Sequence, residues 1–279
     1  MSRSRTNGLR YAMRNLTLPM LLLLPVMIGG CSILQGSKLL APEKVGFSKI
    51  ATNLYVEPGA DETAQIALRD AMAKAESAIF AAYGSVNSRP VVHVCISEGC
   101  YGAFGGRGDR ARVYYGNLIL LSPRGSNWHY IAHEWSHAEI FSRLTITAWW
   151  QLPQWFDEGI AVAVSEAPEN SEAHWQFLVE SNVPRPTREE LYTFRSLSQW
   201  GDAVGRYGEK KNLARKAKGE PEIRPVYTAA GHELRPWLAK AGSAGLIRLI
   251  GQLNSGMVFE AAYRTANTAV ARGAQRPSP

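Results

Sequence analysis

The stretch HYIAHEWSHAEI, residues 129–140, contains His133 and His137, four positions apart, with Glu134 directly after the first of this pair. Residues four apart lie on one face of an α-helix, so His133 and His137 can direct ring nitrogens to one metal ion. Glu134 lies about 100° further round the helix, where it cannot easily be a ligand but can reach a metal-bound water. Zinc lowers the pKa of such a water towards about 7, and a carboxylate beside it can accept the proton. The spacing therefore predicts a helix that carries a hydrolytic zinc site.

The sequence on either side of the motif predicts where this helix begins and which side of it is buried. Ser126 is the expected N-cap, and the helical pattern continues to about Leu144. The helix has one apolar stripe and further apolar residues on the adjoining side, so we expect the histidines to lie in a buried contact and not on a face open to solvent. The residues concerned are Trp128, Ile131, Trp135 and Ala138 in the stripe, with Tyr130, Phe141 and Leu144 beside the histidines.

A hydrolytic zinc site typically has three protein ligands and one open position, so the third ligand decides the interpretation. A metzincin would have glycine at position 140 and histidine at 143, and the presence of Ile140 and Arg143 excludes that class. Further along the chain, residues 155–161 read WFDEGIA. This segment resembles W-x-N-E-G-x-A, the second signature of the gluzincins, which are the aminopeptidase-N-like zinc peptidases of the thermolysin superfamily.

The resemblance implies a zincin-like catalytic domain with two lobes. It assigns one Zn²⁺ per chain to His133, His137 and Glu158, and it makes Glu134 the catalytic glutamate. Asp157 replaces the usual asparagine of the signature and is expected to keep a polar role beside the ligands.

The chain also departs from the family. It has no G-x-M-E-N sequence, which aminopeptidases use to hold a free amino group, and no room for their large N-terminal β-domain. Val162 stands where thermolysin-type enzymes often have aspartate. These departures favour an endopeptidase or a narrow-specificity processing enzyme that acts on a peptide or protein. By the same resemblance, LILLS, residues 118–122, is expected to form the cleft edge and to pair with substrate backbone.

Gluzincins commonly use a tyrosine further downstream to stabilise the tetrahedral oxyanion. VYTAAGHELRPWLAKAG, residues 226–242, resembles that segment, which implies a catalytic role for Tyr227. A tyrosine at the start of a helix can also be a packed aromatic residue, and His232 is an alternative donor. Trp149 and Trp150 are likewise open to two interpretations, as the lining of a substrate pocket or as packing between lobes.

The N-terminus has the pattern of a secretory signal. Four arginines precede an apolar stretch over 16–27 that is short for a membrane span, and IGGC, residues 28–31, resembles a bacterial lipobox. This resemblance implies that Cys31 is lipidated and becomes the mature N-terminus, and Ser32 favours the outer membrane, facing the periplasm. The alternative is an uncleaved membrane anchor with an incidental cysteine.

Removal of the signal changes the charge balance. The whole chain has 31 basic and 24 acidic residues, and the signal contains four basic residues and no acidic ones, so 27 basic residues and a charge of +3 remain. This near-neutral balance removes the main support for a nucleic-acid partner. The basic run GEKKNLARKAKGE, residues 208–220, is either a solvated loop or a contact with anionic lipid. Cys95 and Cys100 form an even pair in an exported chain, which favours a disulfide over a two-thiolate metal site.

The pattern along the chain predicts an α+β fold. We expect a signal peptide over 1–30, a tether over 31–42, the catalytic domain over 43–271 and a flexible tail over 272–279. A helix from Asp61 to Gly84 and a hairpin at Gly116-Asn117 belong to a lobe over about 43–146, with a small mixed sheet and the active-site helix. The lobe over about 147–271 is mostly helical, with a helix over 154–165, a polar proline-punctuated stretch over 166–222 and two closing helices.

Together these observations predict a lipid-anchored zinc metallopeptidase of the bacterial cell envelope. A second hypothesis is an envelope binding or scaffolding lipoprotein whose zinc site is structural or catalytically inactive. Glu134 argues against it, because a purely structural site with three ligands has no use for that carboxylate. A third hypothesis is a zinc hydrolase that acts on a non-peptide amide such as a cell-wall bond, and the sequence does not separate it from peptide cleavage.

Overall fold

The structure is a computed structural model that describes residues 35–114 and 116–266. The expected signal peptide over 1–30, the expected lipidation site Cys31 and the expected tail over 272–279 lie outside these residues. In chain order the strands and α-helices are β1 (Ser48–Ala51), β2 (Leu54–Val56), α1 (Glu62–Tyr83), β3 (Val91–Val94), α2 (Glu98–Ala103), β4 (Ala111–Tyr114), β5 (Leu118–Leu121), α3 (Trp128–Arg143), α4 (Ile146–Gln151), α5 (Gln154–Ser165), α6 (Glu172–Glu180), α7 (Arg188–Leu191), α8 (Leu197–Arg206), α9 (Asn212–Ala217), α10 (Pro225–Asn254) and α11 (Phe259–Ala266). The predicted α+β class is confirmed.

The five strands form one mixed sheet in the order β1-β2-β3-β5-β4. The outer pairs, β1 with β2 and β4 with β5, are antiparallel, and the inner pairs are parallel. Because side chains alternate along a strand, the sheet has two apolar faces. One face contributes to the main core, and the other packs in a smaller cluster that includes Leu39, Phe47 and Tyr101. Leu39 belongs to the segment expected to be a tether, so the packed part of the chain includes the end of that segment.

The place of β5 in the sheet differs from the sequence-based expectation. β4 and β5 form the predicted antiparallel hairpin, with Ala111 opposite Leu121 and Tyr114 opposite Leu118. β3 pairs with the other side of β5, so β5 is an interior strand. The prediction that LILLS forms the cleft edge is therefore wrong, and β4 is the edge strand on this side of the sheet. The uniformly apolar sequence of β5 reflects burial of all four of its residues.

Two long helices pack on the main-core face of the sheet, and their ends follow local capping rules. The side chain of Asp61 accepts a hydrogen bond from the backbone N–H of Ala64 (2.7 Å), and α1 ends at Gly84 with φ 74°. The N-cap of α3 is Asn127, which accepts from the N–H of His129 (3.0 Å). The prediction of Ser126 as this cap is wrong, because its hydroxyl donates to the preceding turn instead.

The second half of the chain contains more helix than the sequence pattern indicates. The polar, proline-punctuated stretch over 166–222, in which no particular helix was predicted, contains α6, α7, α8 and α9. Ser171, Thr187 and Ser196 cap the first three of these helices. The two closing helices correspond to the two parts of α10, which departs from helical geometry at Gly242 (φ 61°). α11 was not predicted, and it adds Phe259, among other residues, to the core.

One main core runs through both predicted lobes, from Leu54 on β2 to Ala266 at the end of α11. Cys95 and Cys100 are joined by a disulfide between the end of β3 and α2. In the described part of the chain, no helix has the length and hydropathy needed to cross a bilayer.

Candidate metal centre

Helix α3, which carries both histidines, is fixed by a buried carboxylate near its C-terminal end. Glu139 accepts hydrogen bonds from the backbone N–H groups of Asn87 and Ser88 (2.8 Å each) and from the Ser88 hydroxyl (2.6 Å). It also forms an ion pair with Arg143 one turn further on. The indole N–H of Trp135 donates to Ser88 as well (3.0 Å). These contacts set the rotation of α3, and hence the direction in which its histidines point.

α3 and α5 lie side by side and bring the two sequence signatures together. His133 Nε2 lies 3.4 Å from His137 Nε2 and 3.4 Å from Glu158 Oε2. His137 Nε2 lies 3.7 Å from the same carboxylate oxygen. A tetrahedral zinc ion with bonds of about 2.0–2.1 Å places its ligand atoms roughly 3.3 Å apart. The three atoms therefore have the spacing that three ligands of one ion require, and they could hold a metal ion.

The two oxygens of Glu158 have different environments. Oε1 accepts a hydrogen bond from the side chain of Gln154 (3.0 Å), one turn earlier on α5. Oε2 is buried and has no hydrogen-bond partner in the described structure. Burial alone would raise the pKa of this carboxyl, but His133, His137 and Gln154 outweigh that effect and lower it. A buried, ionised oxygen without a donor is costly, and a cation at the centre of the triangle would compensate it.

His137 makes a second contact through its other ring nitrogen. Nδ1 lies 3.0 Å from Asp157 Oδ2, although the pair does not have the geometry of an aligned hydrogen bond. Burial alone would lower the pKa of His137, but the carboxylates of Asp157, Glu158 and Glu134 outweigh it and raise the pKa to about 10. A carboxylate behind a metal-ligating histidine fixes the ring and increases its basicity, which is the polar role expected of Asp157.

Glu134 lies beside the two histidines in an open cleft of about 720 Å³, which we call the metal-site cleft. Its lining includes His133, Glu134 and Tyr227 together with residues of the loop before β4 and of the segment around α9. Glu134 itself is almost completely buried, and this burial raises the pKa of its carboxyl against the opposing effect of the histidines. A carboxylate of raised basicity at the edge of a solvent-filled space can accept a proton from a water there.

Tyr227, at the start of α10, also lines the metal-site cleft. Its ring centre lies 6.2 Å from that of His133 and 5.1 Å from that of Trp200, and the guanidinium of Arg224 lies 5.4 Å from it. Burial, supported by the charge of Glu158, raises the pKa of the phenol, so Tyr227 keeps its proton at neutral pH. The structure thus brings a hydrogen-bond donor into the cavity that contains His133 and Glu134.

The remaining histidines and tryptophans considered from the sequence have other environments or partners. His232 stacks on Trp175 and contacts Glu172 (2.9 Å), so the alternative donor is not in the metal-site cleft. His129 lines the cleft, but its Nδ1 donates to the carbonyl of Ser165 (2.7 Å). Trp149 and Trp150 do not line the cleft; Trp149 packs edge-on against Phe141 of the first predicted lobe, with ring centres 5.6 Å apart, whereas Trp150 is 76% exposed.

Sequence reasoning missed two groups of residues around the site. Gln154 precedes Glu158 by four positions on α5, a spacing that could have identified it as a partner. Arg110, at the start of β4, contacts Tyr130, Glu169 and Glu222 across the cleft. These residues come from four separated segments, so no local pattern could have identified that cluster.

The described residues contain a second group of possible metal ligands, Glu57 with Cys95 and Cys100. Its sulfurs are joined in the disulfide, and the carboxylate of Glu57 already accepts hydrogen bonds from the N–H groups of Ile96 and Ser97 (2.8 Å each).

Comparisons with protein-family models, curated proteins and solved structures find no match for this chain. The gluzincin resemblance therefore stays a prediction that depends on the two motifs.

Proposed function

We propose that this chain is a zinc metallopeptidase with a zincin-like, two-lobed fold, anchored by a lipid in the bacterial cell envelope at the outer membrane, facing the periplasm. It acts as an endopeptidase or a narrow-specificity processing enzyme on peptide or protein substrates. One observation carries the proposal: the ligand atoms of His133, His137 and Glu158 have the spacing of a zinc site, with Glu134 beside them in an open cleft.

The proposed mechanism assigns four roles to residues of the chain: metal ligands, a general base, an oxyanion donor and residues that orient the ligands. Zinc, when bound by the two histidines and Glu158, supplies Lewis acidity, which lowers the pKa of a coordinated water and polarises a carbonyl oxygen. Glu134 accepts a proton from the attacking water and returns it to the leaving amine. Tyr227 donates a hydrogen bond to the oxyanion that develops on the scissile carbonyl. Gln154 and Asp157 orient the ligands.

An open cleft supports catalysis over a purely structural role. A structural zinc site is closed by its ligands, whereas a catalytic one keeps a position for water or substrate. Here the cavity of about 720 Å³ includes His133 and Glu134 in its lining, so a substrate has access to one of the three proposed ligands and to the proposed general base. The proposal for a binding or scaffolding lipoprotein has no comparable observation in its favour.

The test is to measure the zinc content and hydrolytic activity of the purified full-length chain. We expect about one zinc per wild-type chain, largely lost in Glu158→Ala and retained in Glu134→Gln, with protein hydrolysis abolished in both variants. Glu180→Gln, which changes an exposed glutamate outside the cleft, serves as the control. Absence of zinc from the wild type after incubation with the metal would refute the site, and unchanged hydrolysis in Glu134→Gln would refute the mechanism.

A further inference from the structure

The basic segment over 208–220 forms part of the metal-site cleft. It is folded as a short turn, Glu209–Lys211, followed by α9, so it is helical where a loop was one of the two predictions, and its lysines are exposed to solvent as that prediction expected. The cavity that contains His133 and Glu134 is also lined by three residues of this segment at successive intervals of three positions: Lys210, Leu213 and Lys216. A basic element that the proposed catalytic mechanism does not use thus borders the space where a substrate would bind.

Most carboxylates that line this part of the cleft are already compensated; Glu209 is compensated through one oxygen only, since its Oε2 has no hydrogen-bond partner. Glu209 is buried and accepts a hydrogen bond from the N–H of Val226 (2.5 Å), and burial raises its pKa to about 7. The other acidic residues of the lining, apart from Glu134, have cationic partners. These ion pairs are Asp109 with Arg112, Glu220 with Arg215, and Glu222 with both Arg110 and Arg224.

Three cations of the lining have no such partner. Within residues 35–114 and 116–266, no carboxylate lies within ion-pair distance of the side chains of Arg107, Lys210 or Lys216. Arg107 comes from the loop before β4, and the two lysines come from the segment around α9, so the excess charge is contributed by two separate parts of the chain. A cleft lined by one excess sign of charge concentrates ligands of the opposite sign.

An apolar side chain accompanies these cations. Leu213 has 63% of its surface exposed and lines the cleft between the two lysines in sequence. An exposed leucine adds little to stability, so this position in the lining is available for contact with an apolar side chain of a ligand.

We propose that the metal-site cleft selects acidic peptide segments, with Lys210 and Lys216 contacting substrate carboxylates and Leu213 contacting an apolar side chain between them. This inference rests on the proposed peptidase function, because it names the substrate class of the same site. Arg107 adds to the attraction from the loop before β4.

The test is a binding measurement that does not need turnover. Full-length Glu134→Gln chain in non-ionic detergent, with and without zinc, is titrated against fluorescein-labelled twelve-residue peptides rich in glutamate and leucine, and anisotropy is recorded. A matched peptide has glutamine at every glutamate position. We expect the glutamate peptide to bind roughly tenfold more tightly, with an advantage that declines as salt increases.

Variants of the lysines locate the effect. Lys210→Gln with Lys216→Gln should remove most of the preference for the glutamate peptide. Lys49→Gln with Lys240→Gln makes the same change in net charge at exposed positions outside the cleft and should leave the preference unchanged.

Equal affinity for the two peptides, or an equal loss in the two double variants, would overturn the inference. A second outcome would also overturn it: the chain binds phosphatidylglycerol in mixed micelles, this binding depends on the two lysines, and the chain shows no preference between the peptides. The cations would then belong to a membrane contact. Failure of the chain to bind zinc or to hydrolyse peptides counts against the proposed function alone, since binding is also measured without metal.

Discussion

Replacing Gly231 by alanine should force apart two helices that position the metal site. Gly231 lies on α10, and a Cβ atom there would lie 2.4 Å from Cγ1 of Val162 on α5. Val162 is buried and follows the proposed ligand Glu158 by one turn. Carbon atoms in contact lie about 3.5–4.0 Å apart, so the helices must separate by roughly 1 Å, or Val162 must leave its rotamer.

The magnitude follows from comparison with a glycine that has space around it. Overpacking of a core by one methyl group costs about 1–3 kcal/mol. Replacing glycine by alanine inside a helix otherwise stabilises a protein by about 0.5–1 kcal/mol. Gly201 on α8 has no atom within 4 Å of the position a Cβ would take, so Gly201→Ala is the matched control. The free energies of unfolding of Gly231→Ala and Gly201→Ala should therefore differ by about 1–3 kcal/mol.

Thermal and denaturant unfolding of the two variants measure this difference, at about 2–4 °C of Tm for each kcal/mol in a chain of this size. Zinc affinity, measured by competition with a chromophoric chelator, should fall in Gly231→Ala alone, because metal–ligand distances tolerate changes of only about 0.2 Å. Equal stabilisation by both substitutions would show that α5 and α10 are not in close contact, and the reasoning would be refuted.

Three further outcomes are expected. Asp157→Ala should weaken zinc binding about 10–100-fold by releasing His137, and Asp157→Asn should weaken it less; unchanged affinity in both would contradict the role given to this carboxylate. Tyr227→Phe should lower kcat about 10²–10³-fold with zinc content unchanged, whereas a loss of folding without such a kinetic defect would identify a packed aromatic residue. Burial raises the pKa of Glu209 to about 7, above its unfolded value, so the folded state binds the extra proton and stability should decline as pH rises from about 4.5 to 7. Glu209→Gln should remove this decline, and urea unfolding at pH 5 and pH 7.5 would check it.

Local chemistry determined much of the site and of the elements that hold it. The four-residue spacing of His133 and His137 requires only that the segment be helical, and a helix gives that spacing in any fold. The ends of α1 followed from a side-chain acceptor at Asp61 and a left-handed glycine at Gly84. The hairpin of β4 and β5 followed from glycine and asparagine between two apolar runs.

Tertiary structure decided the features that depend on distant segments. An apolar run such as LILLS shows that a strand is buried, but its partners come from β3 and β4, so only the fold makes β5 interior and β4 the edge. The helices over 172–217 are short, and short helices depend on packing more than on their own propensity.

The metal-site cleft shows the same division. The sequence identified its candidate ligands, because the two motifs each occupy one helix. Tyr227 lies beside His133 because of how α10 packs against the rest of the chain. Lys210 and Lys216 line the cleft because of how the segment around α9 packs. The sequence could therefore determine which groups have the chemistry of a metal site, and only the tertiary structure decided which charges surround it, because those charges come from segments that are neighbours in space alone.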